Sequence, residues 1–217
     1  NMKKRVVIFG DSNTWGYDAA TGGRFNEEIR WPMVAAKLLG NEYRIMEEGL
    51  CGRTTCLDDP FNEGLSGLSY ILPCLQSHSP LDMLVIMLGT NDCKERFSLT
   101  AANIALGMRR LVKKALEAEV WRDKPNILII APGPILKECE LSPVGKNMGI
   151  CSDKSYEIAK EYKLVAEELG VGFFDSDKYV FMNDIDFMHL TADSHIALAK
   201  EVSKIIKNSL ESKELKA

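Results

Sequence analysis

A serine hydroxyl becomes a useful nucleophile only when a base takes its proton and a third group holds that base in the right tautomer. Residues able to do this stand far apart in the 217-residue chain. Ser12 follows the apolar run Val6-Val7-Ile8-Phe9, inside Gly10-Asp11-Ser12-Asn13-Thr14. Asp186-Phe187-Met188-His189 carries a carboxylate and an imidazole on one short segment, so both side chains can enter a single site. The other two histidines are less apt. His78 sits in the polar stretch Gln76-Ser77-His78-Ser79-Pro80 and reads as part of a turn. His195 falls inside a helical pattern and reads as exposed or partly buried. His189 is therefore the candidate base and Asp186 its orienting partner, although a structural role would explain that pair, taken alone, at least as well.

Attack on a carbonyl also needs hydrogen-bond donors for the developing oxyanion. The N–H of Ser12 is one candidate. The N–H of Gly52, in Gly49-Leu50-Cys51-Gly52-Arg53-Thr54, is a second, since glycine permits close backbone approach. The side-chain amide of Asn91, in Gly89-Thr90-Asn91-Asp92, is a third. Singly, each reads as a turn or capping residue. Jointly, each follows a different expected strand and emerges at the same edge of a parallel sheet, where open α/β sheets bind ligands.

The elements that must position these groups alternate along the chain. Strands are expected at Val6–Phe9, Tyr43–Glu47, Met83–Leu88, Ile127–Ala131 and Val171–Phe174. Helical spacing appears over Trp31–Leu39 and over Ser66–Leu75, where Pro73 threatens a break. Thr100 caps a helix whose stripe is Ile104, Met108, Leu111, Val112 and Ala115. Another helix starts at Ser152 or Asp153 and runs to about Leu169, with Gly170 as its C-cap. The last starts at Thr191 or Asp193 and runs to about Leu210. This alternation predicts an α/β domain with a five-stranded parallel sheet and right-handed crossovers. No internal repeat or linker divides the chain, so residues 1–217 read as one domain. Two long segments, Gly16–Arg30 and Pro132–Cys151, follow strand ends and are expected as loops that wall a pocket.

Composition narrows the partners. The hydrophobic fraction is 46% and the charged fraction 27%, ordinary for a globular protein. A net charge of −4 gives no pull toward nucleic acid or an anionic membrane. No apolar stretch is long enough to span a bilayer. No signal-like segment precedes the first strand, and Asn1 before Met2 reads as a cloning remnant, so the expected location is cytoplasmic. Six cysteines without a CxxC pair or zinc-finger spacing fit reduced thiols in that compartment. Cys51 and Cys93 flank the candidate site, with nothing to mark their thiolates as favoured.

Ser12 in GDSN, Gly52 in GLCGRTT, Asn91 in GTND and His189 in DxxH occur in an order that resembles the SGNH, or GDSL-type, hydrolase superfamily. The blocks extend from Gly10 to His189, nearly the whole chain. A closer likeness, to bacterial arylesterase and acyltransferase members that also show perhydrolysis, rests on four segments. They are Gly10-Asp11-Ser12-x-Thr14-Trp15-Gly16, Glu47-Glu48-Gly49-Leu50-x-x-Arg53-Thr54-Thr55, Asp58-Asp59-Pro60 and Ile86-Met87-Leu88-Gly89-Thr90-Asn91-Asp92. The family pattern often carries Leu after the serine, where this chain has Asn13; Pro132–Cys151 matches least.

The resemblance implies a three-layer α/β/α, flavodoxin-like fold and a metal-free, cofactor-free Ser12–His189–Asp186 triad acting on a small-molecule ester. It also implies an oxyanion hole of Ser12, Gly52 and Asn91, and a homo-oligomer. Asp11 is expected as a structural acceptor. Trp15 and Arg53 are expected in the pocket wall; packing for Trp15, and a solvated charge or ion pair for Arg53, are the alternatives. Carbohydrate acetylesterase is the nearest competing reading. A metal-dependent phosphatase and a non-catalytic ligand-binding protein are the competitors from other classes. The nucleotide-binding G-x-G-x-x-G and G-x-x-x-x-G-K-[ST] motifs and the G-x-S-x-G elbow do not occur.

Overall fold

The computed structural model describes residues 2–214; Asn1, read above as a cloning remnant, lies outside them. Strand β1 (Lys4–Gly10) leads into a single helical turn, α1 (Ser12–Trp15). A small hairpin of β2 (Tyr17–Asp18) and β3 (Gly23–Arg24) precedes α2 (Trp31–Leu39) and β4 (Tyr43–Gly49). Next come α3 (Gly67–His78), β5 (Met83–Met87), α4 (Ala101–Glu117) and β6 (Ile127–Ala131). The chain closes with α5 (Gly145–Met148), α6 (Ser152–Ser155), α7 (Ile158–Leu169), β7 (Gly172–Asp175) and α8 (Ala192–Glu214).

The main sheet has five parallel strands in the order β4-β1-β5-β6-β7. Alternate residues of each strand face opposite layers. Val7, Phe9, Leu84 and Ile86 pack against α3, α4 and α7. Val6, Ile8, Met83 and Val85 pack against α2 and α8. Burial on both faces explains why β1, β5 and β6 read as continuous apolar runs. The result is the expected three-layer α/β/α arrangement. Its strand order is flavodoxin-like, with the chain reversing direction across the sheet beside β1. Gly10 pairs with Gly49 on one side and Met87 on the other, so the loops after β4, β1 and β5 leave the sheet side by side.

Several expectations need adjustment. Helix α3 runs through Pro73 unbroken to His78. Pro73 and Ser69 are both exposed, so the Ser69 carbonyl left without a helical donor faces solvent. His78 is consequently the last helical residue, not part of a turn. The helix expected from Ser152 to Leu169 is split into α6 and α7. The Ser155 hydroxyl is drawn to Ser152 O at 2.5 Å and accepts from Ile135 N at 2.9 Å, which competes with helix continuation. Gly16–Arg30 carries the β2–β3 hairpin, and Pro132–Cys151 carries a 3₁₀ turn, Lys137–Leu141, followed by α5. His195 is fully buried, because α8 lays it against the start of α2, where it accepts from Trp31 N at 3.1 Å.

Candidate active site

Ser12 opens α1 directly after β1. Asp11 caps that turn by accepting from Asn13 N at 2.9 Å, the structural role expected of it. Gly10 is required because a Cβ there would overlap the Thr14 hydroxyl. Burial pushes the Asp11 carboxyl up to about 6, against the pull of the Asn13 N–H and of the His189 and Arg53 charges.

His189 reaches Ser12 from the segment between β7 and α8. Its Nε2 lies 2.9 Å from Ser12 Oγ, and its Nδ1 lies 2.6 Å from Asp186 Oδ2. The other Asp186 oxygen accepts from Met188 N and His189 N, both at 3.1 Å, and from Asn183 Nδ2 at 2.8 Å. Burial works against this carboxylate. The bond and charge of His189, with the Met188 and Asn183 donors, outweigh burial and hold it down at about 2. An ionised Asp186 can only accept, so a proton sits on His189 Nδ1; in the neutral ring that leaves the Nε2 lone pair facing the Ser12 hydroxyl. Phe187 takes φ +61°, a left-handed turn that sets Asp186 and His189 face to face.

On the other side of Ser12, the loop after β4 holds Gly52 at φ +85°. Leu65 Cδ1 lies 2.9 Å from where a Cβ would stand, so glycine answers both the backbone angle and the packing. Two consecutive residues after β5 grip this loop. Asn91 Nδ2 donates to Arg53 O at 3.1 Å, leaving one amide hydrogen for another acceptor. Asp92 accepts from Thr55 N at 3.0 Å and Thr55 Oγ1 at 2.6 Å. Complete burial pushes the Asp92 carboxyl up to about 7 despite those donors.

The two expected wall residues part company. Trp15 is half-buried three residues after Ser12, with the Arg24 guanidinium 4.8 Å from its ring centre. Arg53 is buried against the nucleophile turn and is not solvated. It donates to Gly10 O at 3.1 Å and to Glu48 O, and lies 4.2 Å over the Phe9 ring. Backbone carbonyls rather than a carboxylate receive its Nη1, its buried Nε has no partner, and burial lowers its pKa.

Two residues at the site, Tyr17 and Asn183, were not singled out in the sequence, and a third, Asn13, was noted only as a departure from the family pattern. The Tyr17 ring packs on His189 with centroids 4.4 Å apart. Asn183 supports Asp186 and also donates to His189 O at 2.8 Å. Asn13 touches the backbone on either side of His189. Only Asn183-Asp184 carried a local signal, as a turn-forming pair.

Neither flanking thiol is activated, since burial raises the pKa of both Cys51 and Cys93. Among the described residues, Glu48, Cys74 and His78 bring one donor atom each within 4.8 Å of one another. The His78 ring and the Tyr70 hydroxyl already bond Glu48, at 2.8 and 3.1 Å. The Arg53 guanidinium stands 5.2 Å from the Tyr70 ring centre, so a cation would arrive beside an existing positive charge.

The model of the GDSL-like lipase/acylhydrolase family matches residues 8–196. The chain belongs to that family. It is accordingly a carboxylic ester hydrolase. No curated protein matches it. Among solved structures, it is 35% identical to the native aryl esterase of M. smegmatis, with a TM-score of 0.87 over 95% of this chain and 100% of that one. It is 34% identical to a carbohydrate acetylesterase family member from Sinorhizobium meliloti, with a TM-score of 0.89 over 96% and 99% of the two chains. A second carbohydrate acetylesterase from Sinorhizobium meliloti is 36% identical, with a TM-score of 0.87 over 94% and 98%. No helix among the described residues is long and apolar enough to cross a membrane.

Proposed function

We propose that this acylhydrolase is a serine esterase for small acyl groups, acting through Ser12, His189, Asp186 and an acyl-enzyme. The observation that carries the reading is the continuous relay from Ser12 Oγ to His189 Nε2 at 2.9 Å and from His189 Nδ1 to Asp186 Oδ2 at 2.6 Å. In the first half-reaction Ser12 Oγ bonds to the ester carbonyl carbon while its proton passes to His189 Nε2. The carbonyl oxygen becomes an oxyanion, which the Ser12 and Gly52 N–H groups and the Asn91 amide receive. The tetrahedral species collapses, the alkoxy group leaves with the proton from His189, and Ser12 remains acylated. Water, deprotonated by His189, then attacks the acyl carbon and restores the Ser12 hydroxyl. Another alcohol in place of water would give acyl transfer by the same steps.

The Tyr17 ring against His189 takes up space beside the reacting atoms, which favours a short acyl group. A second reading, deacetylation of sugar esters, is favoured by the two Sinorhizobium carbohydrate acetylesterases among the similar structures. Rates on p-nitrophenyl esters of rising acyl length, followed by acetylated sugars, separate the two. The mechanism itself is tested by Ser12→Ala, which is expected to lower kcat by about 10⁴ or more while the fold survives. Near-normal hydrolysis of p-nitrophenyl acetate by that variant overturns it. Rate loss on dialysis against EDTA, restored by metal, would favour the phosphatase-like alternative.

A further inference from the structure

Asn13 is the residue at which this chain departs from the family pattern, and its side chain does not face a substrate. It is buried, and both ends of its amide are committed. Nδ2 donates to Met188 O at 3.1 Å, and Oδ1 accepts from Leu190 N at 3.0 Å. These groups belong to the residues immediately before and after His189. One is an acceptor and the other a donor, so only one orientation of the amide satisfies both. The amide therefore pairs with the His189 segment as a neighbouring strand would, bracketing the imidazole from behind.

Asn13 is itself anchored. Its carbonyl accepts from Trp31 Nε1 at 2.9 Å, and Trp31 N donates to the buried His195 ring. Its own N–H is held by Asp11. The residue next to the nucleophile thus fixes, through two short bonds, the backbone height of the base that must deprotonate that nucleophile.

We infer that Asn13 is a positioning residue for His189, setting the Ser12–His189 distance through the Met188 carbonyl and the Leu190 N–H. The inference rests on His189 being the base. It differs from simple core packing in its consequence: loss of the clamp displaces the imidazole without touching the substrate's binding surface. Displacement of a catalytic group by about 1 Å can cost on the order of 10²-fold in rate.

The test uses Asn13→Leu, which keeps the branching and the number of side-chain heavy atoms but removes both bonds, and Asn13→Asp, which keeps only the acceptor for Leu190 N. Each is measured for kcat and KM on p-nitrophenyl acetate, for thermal midpoint, and for the rate at which an organophosphate labels Ser12. We expect Asn13→Leu to lower kcat and the labelling rate together by roughly 10–10²-fold, with KM moving less than about twofold. Asn13→Asp is expected to fall between that variant and wild type. A lowered thermal midpoint with wild-type kcat and labelling rate, or a loss confined to KM, overturns the inference. If Asn13→Leu does not fold, Asn13→Asp decides by the same criteria. Ser12→Ala and His189→Ala are run beside them. Should those two stay active, the triad reading has failed; should they be inactive while the Asn13 variants turn over normally, only the clamp has failed.

Discussion

The two sides of Ser12 are built by different means. On one side, Gly52 and Asn91 stand on loops that leave the two strands flanking β1, and the β4-β1-β5 order alone brings them beside the nucleophile. Short bonds between those loops, Asn91 to Arg53 and Asp92 to Thr55, refine a placement the sheet already determines. On the other side, His189 belongs to a segment that no strand of the main sheet holds. Its position comes from backbone bonds such as Asn183 N to His189 O at 2.9 Å and from side chains that reach its backbone: Asn183 from within the segment, Asn13 from the nucleophile turn. Sheet-borne groups inherit the rigidity of the core. Loop-borne groups depend on a few buried polar contacts, and those made by side chains can each be cut by one substitution.

Loss of the base is expected to give the largest effect after loss of the nucleophile. His189→Ala should lower kcat by about 10⁴. His78→Ala, which removes a half-buried partner of Glu48, should leave turnover near wild type. His195→Ala should lower the thermal midpoint, since Trp31 N loses its acceptor, with far smaller loss of turnover per folded molecule. Comparable losses at all three positions would mean that the His189 side has no special place in the chemistry.

The sheet-borne side is probed by Asn91. Asn91→Ala and Asn91→Asp are each expected to lower kcat by about 10²–10³, the usual loss for one oxyanion donor. KM should change less, because the bond strengthens in the transition state. Aspartate has nearly the same shape but offers no donor when ionised and repels the oxyanion. Full turnover at a reduced thermal midpoint would make Asn91 only a brace for Arg53 O.

This contrast also explains what could be read from the chain. The positions of the five main strands, though not their limits, the Thr100 cap and the α4 stripe were legible because each follows from residues near in sequence. The Ser12, Gly52 and Asn91 motifs were legible because each ends a strand. Asp186 and His189 were legible as a pair, since three residues separate them. The supports were not. Asn13 meets its partners 175 and 177 residues away, and a single amide gives no periodic signal. Arg53 read as a wall or surface charge because nothing local shows that two backbone carbonyls and the Phe9 ring await it. His195 read as exposed because the α2 terminus that covers it lies far away in sequence.

The smallest effect concerns stability rather than turnover, and it tests how firmly the sheet-borne side is locked. Asp92 is buried with its carboxyl pushed up to about 7, against 3.8 for the ordinary group. Well below pH 3.8 the carboxyl keeps its proton in both the folded and the unfolded protein, so ionisation costs nothing. As pH rises toward 7 the unfolded chain ionises this group readily while the folded one resists. Stability is therefore lost across that window and levels off above it. Asp11, raised to about 6, acts in the same direction, and its charge adds to the rise at Asp92. Asp92→Asn imitates the protonated acid and still offers an oxygen to Thr55 N. The difference in thermal midpoint, variant minus wild type, should grow in the variant's favour from pH 4 to pH 8, with turnover changed only a few-fold. A difference that stays level, or that shifts toward wild type as pH rises, would show that the two Thr55 bonds hold Asp92 ionised. The Asp92–Thr55 tie would then strengthen the link between the Gly52 and Asn91 loops at neutral pH instead of straining it.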